Sequence, residues 1–157
     1  VQIIFNMLRQ RPSELFFEQA RRRDVGVIAR VPLASGLLTG KMNPSTTFAA
    51  DDHRTYNRHG EAFDVGETFA GIDYNVGLEA VEELKSLVPA GATMAQLALR
   101  WILMFDAVST VIPGAKNPIQ AADNALAADL PVLSPKTMAA IVDIYDRYAR
   151  PQVHHRW

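Results

Sequence analysis

Two stretches of the sequence bring together a tight turn, a lysine and a set of backbone amides, which are the parts needed to hold a phosphate. The first is Gly36-Leu37-Leu38-Thr39-Gly40-Lys41-Met42. It has the outline of a P-loop, but the glycines stand one residue too close and Met42 replaces the Ser or Thr that would bind magnesium. Two glycines and a lysine past a strand end can still present amides and a cation to an anion. A flexible hinge has the same composition. The second stretch runs from Pro113 to Asn124. It places a turn, Lys116 and a helix amino terminus together, and helix amino termini carry free amides and partial positive charge. An ordinary capped helix would use the same residues.

Other catalytic patterns are thin. There is no G-x-G-x-x-G after the first strand, no H-E-x-x-H and no G-x-S-x-G. Asp51, Asp52 and His53 could ligate a metal, but a solvated loop cluster is the simpler reading. His59 stands alone in the same loop. His154 and His155 fall in a terminal tail, where a surface role is the default, and Arg21, Arg22 and Arg23 read as a solvated helix end.

The elements that must position these groups follow from periodicity. Residues 1–6 and Val25 to Val31 are short, apolar and β-branched, and read as strands. The second of these is nearly continuous in apolar residues except at Arg30, the habit of strands buried on both faces in parallel sheets. Ser13 caps a helix from Glu14 to about Arg23, with Leu15, Phe16 and Ala20 on one face and Glu18 four before Arg22. Residues 42–72 have no sustained period and read as a lid-like loop. Asn75 to Val88 is a helix with Ala80, Val81, Leu84, Leu87 and Val88 inward. Thr93 and Gln96 form the capping pair of the next helix, which is apolar almost all round and so deeply buried. Val108 to Ile112 is a third strand. Asn117, Pro118 and Gln120 open a helix. Ser134-Pro135 opens the last one, with Met138, Ile141, Val142, Tyr145 and Tyr148 on its stripe. The domain therefore spans 1–148, and 149–157 is a tail.

Alternating strands and helices give an α/β fold with right-handed crossovers and a parallel sheet. Three strands are few for such a sheet, and its two edges would lie open. The chain also starts at Val1 inside a strand, so further strands are expected before it. Composition agrees with a packed globular protein: 157 residues, 48% hydrophobic, 21% charged. A net charge of -1 argues against nucleic acid or a polybasic membrane anchor. No apolar run reaches spanning length and no secretory signal is visible. With no cysteine, disulfides and Cys-bound zinc are excluded, and a cytoplasmic location is the expectation.

Three segments taken in order resemble the last three strand-end motifs of the aldo-keto reductases: Val1-Gln2-Ile3-Ile4-Phe5-Asn6; Ala29-Arg30-Val31-Pro32-Leu33-Ala34-Ser35-Gly36-Leu37-Leu38-Thr39-Gly40-Lys41; and Ile112-Pro113-Gly114-Ala115-Lys116-Asn117-Pro118-Ile119-Gln120-Ala121-Ala122-Asp123-Asn124. The resemblance implies the C-terminal part of a (β/α)8 TIM barrel, strands 6 to 8 with their helices. It also implies NADP(H) bound across the carboxyl ends of the strands. Gln2 would contact the nicotinamide carboxamide and Arg30 would lie near the ring. Leu33, Ser35, Gly36 and Lys41 would line the pyrophosphate. Gly114 lies in the third motif; Lys116, Asn117 and Gln120 would surround the 2′-phosphate, and Asp123 and Asn124 would read the adenine. Residues 42–72 would be the lid.

The sequence departs from the family at two places. Many members carry an aromatic ring where Arg30 stands, and Tyr where Phe5 stands. The family's catalytic Asp, Tyr, Lys and His belong to earlier strands and loops, so no catalytic residue carries over; Tyr56, Tyr74, Tyr145 and Tyr148 match none of them. The implied activity is hydride transfer between NADP(H) and a small-molecule aldehyde or ketone, with this chain contributing the cofactor site. The missing N-terminal half of the barrel would be its partner. Barrels of this family also serve as accessory subunits of ion channels, so a cofactor-sensing binding subunit is the alternative, and a non-functional remnant a third.

Overall fold

The computed structural model describes residues 1–156. Three parallel strands form the sheet: β1 (Gln2–Ile4), β2 (Val27–Arg30) and β3 (Val108–Val111), in that spatial order. Ile3 pairs with Ala29, and Ala29 in turn with Val111. The carboxyl ends of all three strands therefore finish side by side. Helix α1 (Phe16–Arg22) makes the crossover from β1 to β2. From β2 to β3 the chain passes through a long irregular segment with the short α2 (His53–Tyr56), then α3 (Tyr74–Lys85) and α4 (Met94–Ile102). After β3 come α5 (Pro118–Ala125), α6 (Pro135–Ile144), a wide turn at Tyr145–Ala149 and α7 (Arg150–Val153).

Ser13 does not cap α1, its hydroxyl donating instead to Gln10 O at 2.7 Å, but the caps of the later helices behave as their residue types require. Thr93 and Gln96 make a reciprocal capping box at α4. Asp73 caps α3, Asn117 caps α5 ahead of Pro118, and Ser134 caps α6 ahead of Pro135. Glu18 and Arg22 pair across one turn of α1. Helix α4 is the most buried element: Met94, Gln96, Leu97, Ala98, Leu99, Trp101 and Ile102 are all inside. Its Trp101 stacks on Phe5 at 4.9 Å, and Phe17 and Phe105 close the ring cluster around Phe5. Phe5 thus belongs to the layer between sheet and helices.

Several sequence expectations need correction. Two of the strands are not buried on both faces: β2 alternates between buried Val27 and Ala29 and part-open Ile28 and Arg30, while Ser109 and Thr110 of β3 are exposed. In β1 the adjacent Ile3 and Ile4 are both buried, so that strand is covered on both sides. On α1 the inward residues are Phe17 and Ala20, and Leu15 stands 74% exposed. The helix starts two residues later than expected, at Phe16, and Leu15 precedes its first turn. On α6 Ile144 replaces Val142 on the buried stripe. Residues 150–156 continue in helical turns, Val153 is fully buried, and Gln152 accepts a hydrogen bond from the amide of Asp73. Of the expected tail, only residue 157 lies outside the described residues.

Helix α3 and the wide turn after α6 are tied by charge. Glu83 accepts two bonds from Arg147 and one from the Tyr148 hydroxyl, and its carboxyl is lowered from 4.5 to about 2, first by Arg147 and then by Tyr148. A depressed carboxylate stabilises the fold above its unfolded value. That contribution fades as pH falls from about 4.5 through about 2. NMR titration should find Glu83 still ionised at pH 3, and Arg147→Ala should return it towards 4.5. An unchanged titration in the variant would remove Arg147 as the cause.

Candidate functional site

The carboxyl ends of β1, β2 and β3 are joined by side chains as well as by the ladder. Asn6, fully buried past the end of β1, donates from Nδ2 to the carbonyl of Val31 at 3.0 Å. The amide of Ile112 donates to Ala29 O at 3.1 Å. Ligands in parallel α/β proteins bind along this edge. Here the edge is built from backbone that side-chain-bearing residues rarely adopt. Val31, Ala34 and Ser35 have φ of 52°, 47° and 56°, and Gly36 follows at 93°. For a β-branched residue such as Val31 this is a true outlier. Such conformations cost on the order of 1–3 kcal/mol each, persist only where the surroundings enforce them, and cluster at functional sites.

At Gly36 the torsion is the constraint: a Cβ there would stand 2.9 Å from the Met42 methyl, the far end of a flexible side chain that can move aside, but its φ of 93° strains any other residue. Gly40, also left-handed at φ 70°, ends the turn; a Cβ there would meet Met94 at 3.3 Å. The turn is therefore seated on the first residue of α4. Two residues on, Gln96 donates from Nε2 to Asp123 O of α5 at 3.1 Å. The first turn of α4 thus holds both phosphate-binding candidates, the turn around Gly36 and the amino-terminal helix α5.

At α5 the Asn117 side chain accepts from the Gln120 amide at 2.9 Å. The Gln120 side chain reaches one residue beyond the expected capping pair and accepts from the Lys116 amide at 2.8 Å. Asn124 donates to Gly114 O at 3.2 Å, folding the 113–117 turn back over the helix. A Cβ at Gly114 would meet nothing. Lys116, Asn117, Gln120 and Asp123 are exposed, and neither Lys41 nor Lys116 has an acidic partner among the described residues. Gln2 is exposed on β1, two strands from this corner and beside the strand that carries Arg30.

Arg30 and Ser35 are arranged differently from a bare edge. Arg30 Nη1 donates to Glu67 Oε2 at 2.6 Å, a contact that raises the guanidinium above its ordinary value. The Ser35 hydroxyl donates to Glu67 O at 2.9 Å, accepts from the Phe69 amide at 3.2 Å and lies 3.3 Å from His53 Nε2. Leu33 precedes this turn and is half-buried. The segment expected as a lid is thus docked on the carboxyl end of β2. Arg54 also reaches this turn, donating to Ser35 O at 3.4 Å while it holds Asp52 in a two-pronged pair. That pair holds the Asp52 carboxyl well below its usual range. With Asp52 so engaged, the sequence cluster Asp51, Asp52 and His53 is a capped turn, and no group of three potential metal ligands exists among the described residues.

Four residues escaped the sequence reading. Arg9 is only 4% exposed, and its Nη1 donates to Ala70 O at 3.0 Å. Gly66 lies against that guanidinium. Glu67 and Arg54 reach the edge from the long segment. A lone acid or base in a loop without periodicity reads as solvated, so no sequence signal marks them. The N-terminal loop and residues 64–71 meet only in three dimensions.

The family model for the aldo/keto reductase family matches residues 1–146. A probable voltage-gated potassium channel subunit beta from Arabidopsis thaliana is 31% identical over 147 residues, covering 89% of this chain and 42% of that protein. An L-glyceraldehyde 3-phosphate reductase from Escherichia coli is 34% identical over 117 residues, covering 74% of this chain and 32% of the relative. Among solved structures, a glycerol dehydrogenase from Gluconobacter oxydans superposes with a TM-score of 0.74 at 26% identity, over 94% of this chain and 42% of that one. The chain spans well under half the length of these relatives. With a match across nearly all of its length and a fold shared with solved members, the chain belongs to the aldo/keto reductase family.

Proposed function

We propose that this chain is the NADP(H)-binding, C-terminal part of a (β/α)8 barrel oxidoreductase that reduces an aldehyde or ketone by hydride transfer. The observation that carries the reading is the seating of two anion-binding corners on one turn of α4, at the carboxyl ends of adjacent parallel strands. The donor set fits a dinucleotide phosphate. Lys41 and Lys116 are exposed cations without acidic partners among the described residues, and the first turn of α5 adds the Ile119 amide, Pro118 having no N–H and the Gln120 amide being bonded to Asn117.

In this reading Leu33, Ser35, Gly36 and Lys41 hold the pyrophosphate, and Gly114, Lys116, Asn117 and Gln120 take the 2′-phosphate. Asp123 and Asn124 read the adenine, Gln2 meets the carboxamide, and Arg30 lies by the nicotinamide ring. A nicotinamide cofactor bound there supplies the hydride, and the residues of this chain bind and orient it. Gly36 leaves room for close approach, while the amides of Ala34, Gly36, Leu38 and Gly40 donate within the turn and hold its strained shape ready. Residues 42–72 cover the edge and keep water from it. The open face of the sheet, with Gln2, Ile28 and Arg30, would turn towards the remainder of the barrel.

The test is turnover. The full-length protein carrying this sequence should consume NADPH when given a test aldehyde, and the 157-residue chain alone should not. Turnover by the short chain would overturn the assignment of the chemistry to the rest of the barrel. Tight NADPH binding by the full-length protein without turnover of any aldehyde or ketone would favour an accessory, cofactor-sensing role instead.

A further inference from the structure

We infer that Glu67 is a positioning residue which fixes the Arg30 guanidinium and cancels its charge, so that the site accepts oxidised and reduced nicotinamide on comparable terms. The inference rests on the reading above that Arg30 lies beside the ring.

The geometry makes Glu67 the fixed partner. Its amide donates to Asp64 O at 3.0 Å, and its carbonyl accepts from the Ser35 hydroxyl at 2.9 Å. Its neighbour Gly66 donates to the Asp64 side chain at 2.7 Å and packs against the buried Arg9. The next two left-handed residues, Phe69 and Ala70, are buried and hydrogen-bonded to Ser35 and Arg9 respectively. The carboxylate is thereby carried on backbone with little freedom. The long arginine side chain must come to it, at 2.6 Å. Both side chains keep about a third of their surface open, 34% for Arg30 and 29% for Glu67, so the pair faces the strand-end edge and is not sealed inside the protein.

The charge argument follows. An oxidised nicotinamide ring is cationic and a reduced one is neutral. A lone guanidinium at several ångströms would penalise the oxidised ring and leave the reduced ring almost untouched. Paired with Glu67, Arg30 is close to neutral as seen from the ring. Asp64, on the same segment, adds a weaker negative contribution at Arg30. An aromatic ring at this strand end would need no such partner. Glu67 is the structural counterpart of having arginine there.

Separate titrations of NADP⁺ and NADPH into the full-length protein test this. Glu67→Gln keeps shape and hydrogen-bonding capacity but removes the charge. It should weaken NADP⁺ about tenfold relative to NADPH. Arg30→Gln leaves the carboxylate unpaired and should move the ratio the opposite way. The double variant should return it towards wild type. A purely structural role for Glu67 would weaken both forms equally, and that result, or two single variants shifting the ratio in the same direction, would overturn the inference. Wild-type protein that binds neither nucleotide would overturn the proposed function itself, and this inference with it.

Discussion

Lys116→Ala in the full-length protein should weaken NADPH binding by roughly ten- to a hundredfold and leave NADH nearly unchanged. The magnitude is that of one hydrogen bond to a charged group, about 1.5–3 kcal/mol. The structure explains why the variant tests the ligand and not the fold. Only the backbone amide of Lys116 is used locally, as a donor to Gln120 Oε1 at 2.8 Å, and that bond survives in alanine. The ammonium has no acidic partner among the described residues, so its removal strands no buried charge. With the Gln120 side-chain oxygen held by the Lys116 amide and Asn117 Oδ1 by the Gln120 amide, the acceptors at this corner face inward to the backbone. What remains for a ligand is the ammonium, the amide nitrogens of the two side chains and the Ile119 amide, since Pro118 has no N–H and the Gln120 amide is taken by Asn117. That is a donor-rich surface suited to a phosphate and poorly matched to a hydroxyl. Fluorescence titration with both nucleotides decides the matter. Equal losses for NADPH and NADH would move Lys116 to the shared part of the cofactor and refute the 2′-phosphate assignment.

Gly66→Ala should destabilise the protein and loosen residues 64–71 from the strand ends. The added Cβ would lie 2.4 Å from Arg9 Nη1 and 2.7 Å from Asp64 Oδ1. An exposed arginine would swing aside at little cost. Arg9 is 4% exposed, and its Nη1 is bonded to Ala70 O, so the shift displaces a bond to a charged group in the interior. Overpacking alone costs typically 1–3 kcal/mol, and a hydrogen bond to a charged group is worth about 1.5–3 kcal/mol. The two overlap and are not to be added. Two further glycines serve as controls. Gly114→Ala meets nothing and should be nearly neutral for stability. Gly91→Ala also meets nothing but has φ of 79°, so its cost is torsional, on the order of 1–2 kcal/mol. Thermal unfolding should rank Gly114→Ala mildest, and hydrogen exchange should show faster opening at 64–71 for Gly66→Ala alone. Gly66→Ala as mild as Gly114→Ala would mean that Arg9 is not confined as described.

Much of this molecule was legible in its residues. The caps at Thr93, Asn117 and Ser134 follow from side chains that satisfy helix amides locally, so no distant partner is needed to read them. The burial of α4 follows from an apolar surface on all sides, and the three-strand parallel order from strands separated by crossover helices. The phosphate-binding candidates were visible because glycine and lysine at a strand end are unusual together.

Tertiary structure alone decided the rest, for three physical reasons. Apolar residues near an element's end depend on its first turn, and a start at Phe16 put Leu15 in solvent and Phe17 in the core. Backbone strain leaves no trace in residue type when non-glycine residues bear it: nothing in Val31, Ala34 or Ser35 announces a left-handed turn, and the neighbours that enforce it are far away in sequence. Finally, the polar groups that organise the edge are paired across long separations. Arg30 with Glu67, Arg9 with Ala70, and Ser35 with Phe69 each join segments tens of residues apart. Read one residue at a time, Arg9 and Glu67 are ordinary loop charges. The fold turns them into the fixed points from which the residues at the end of β2 are held.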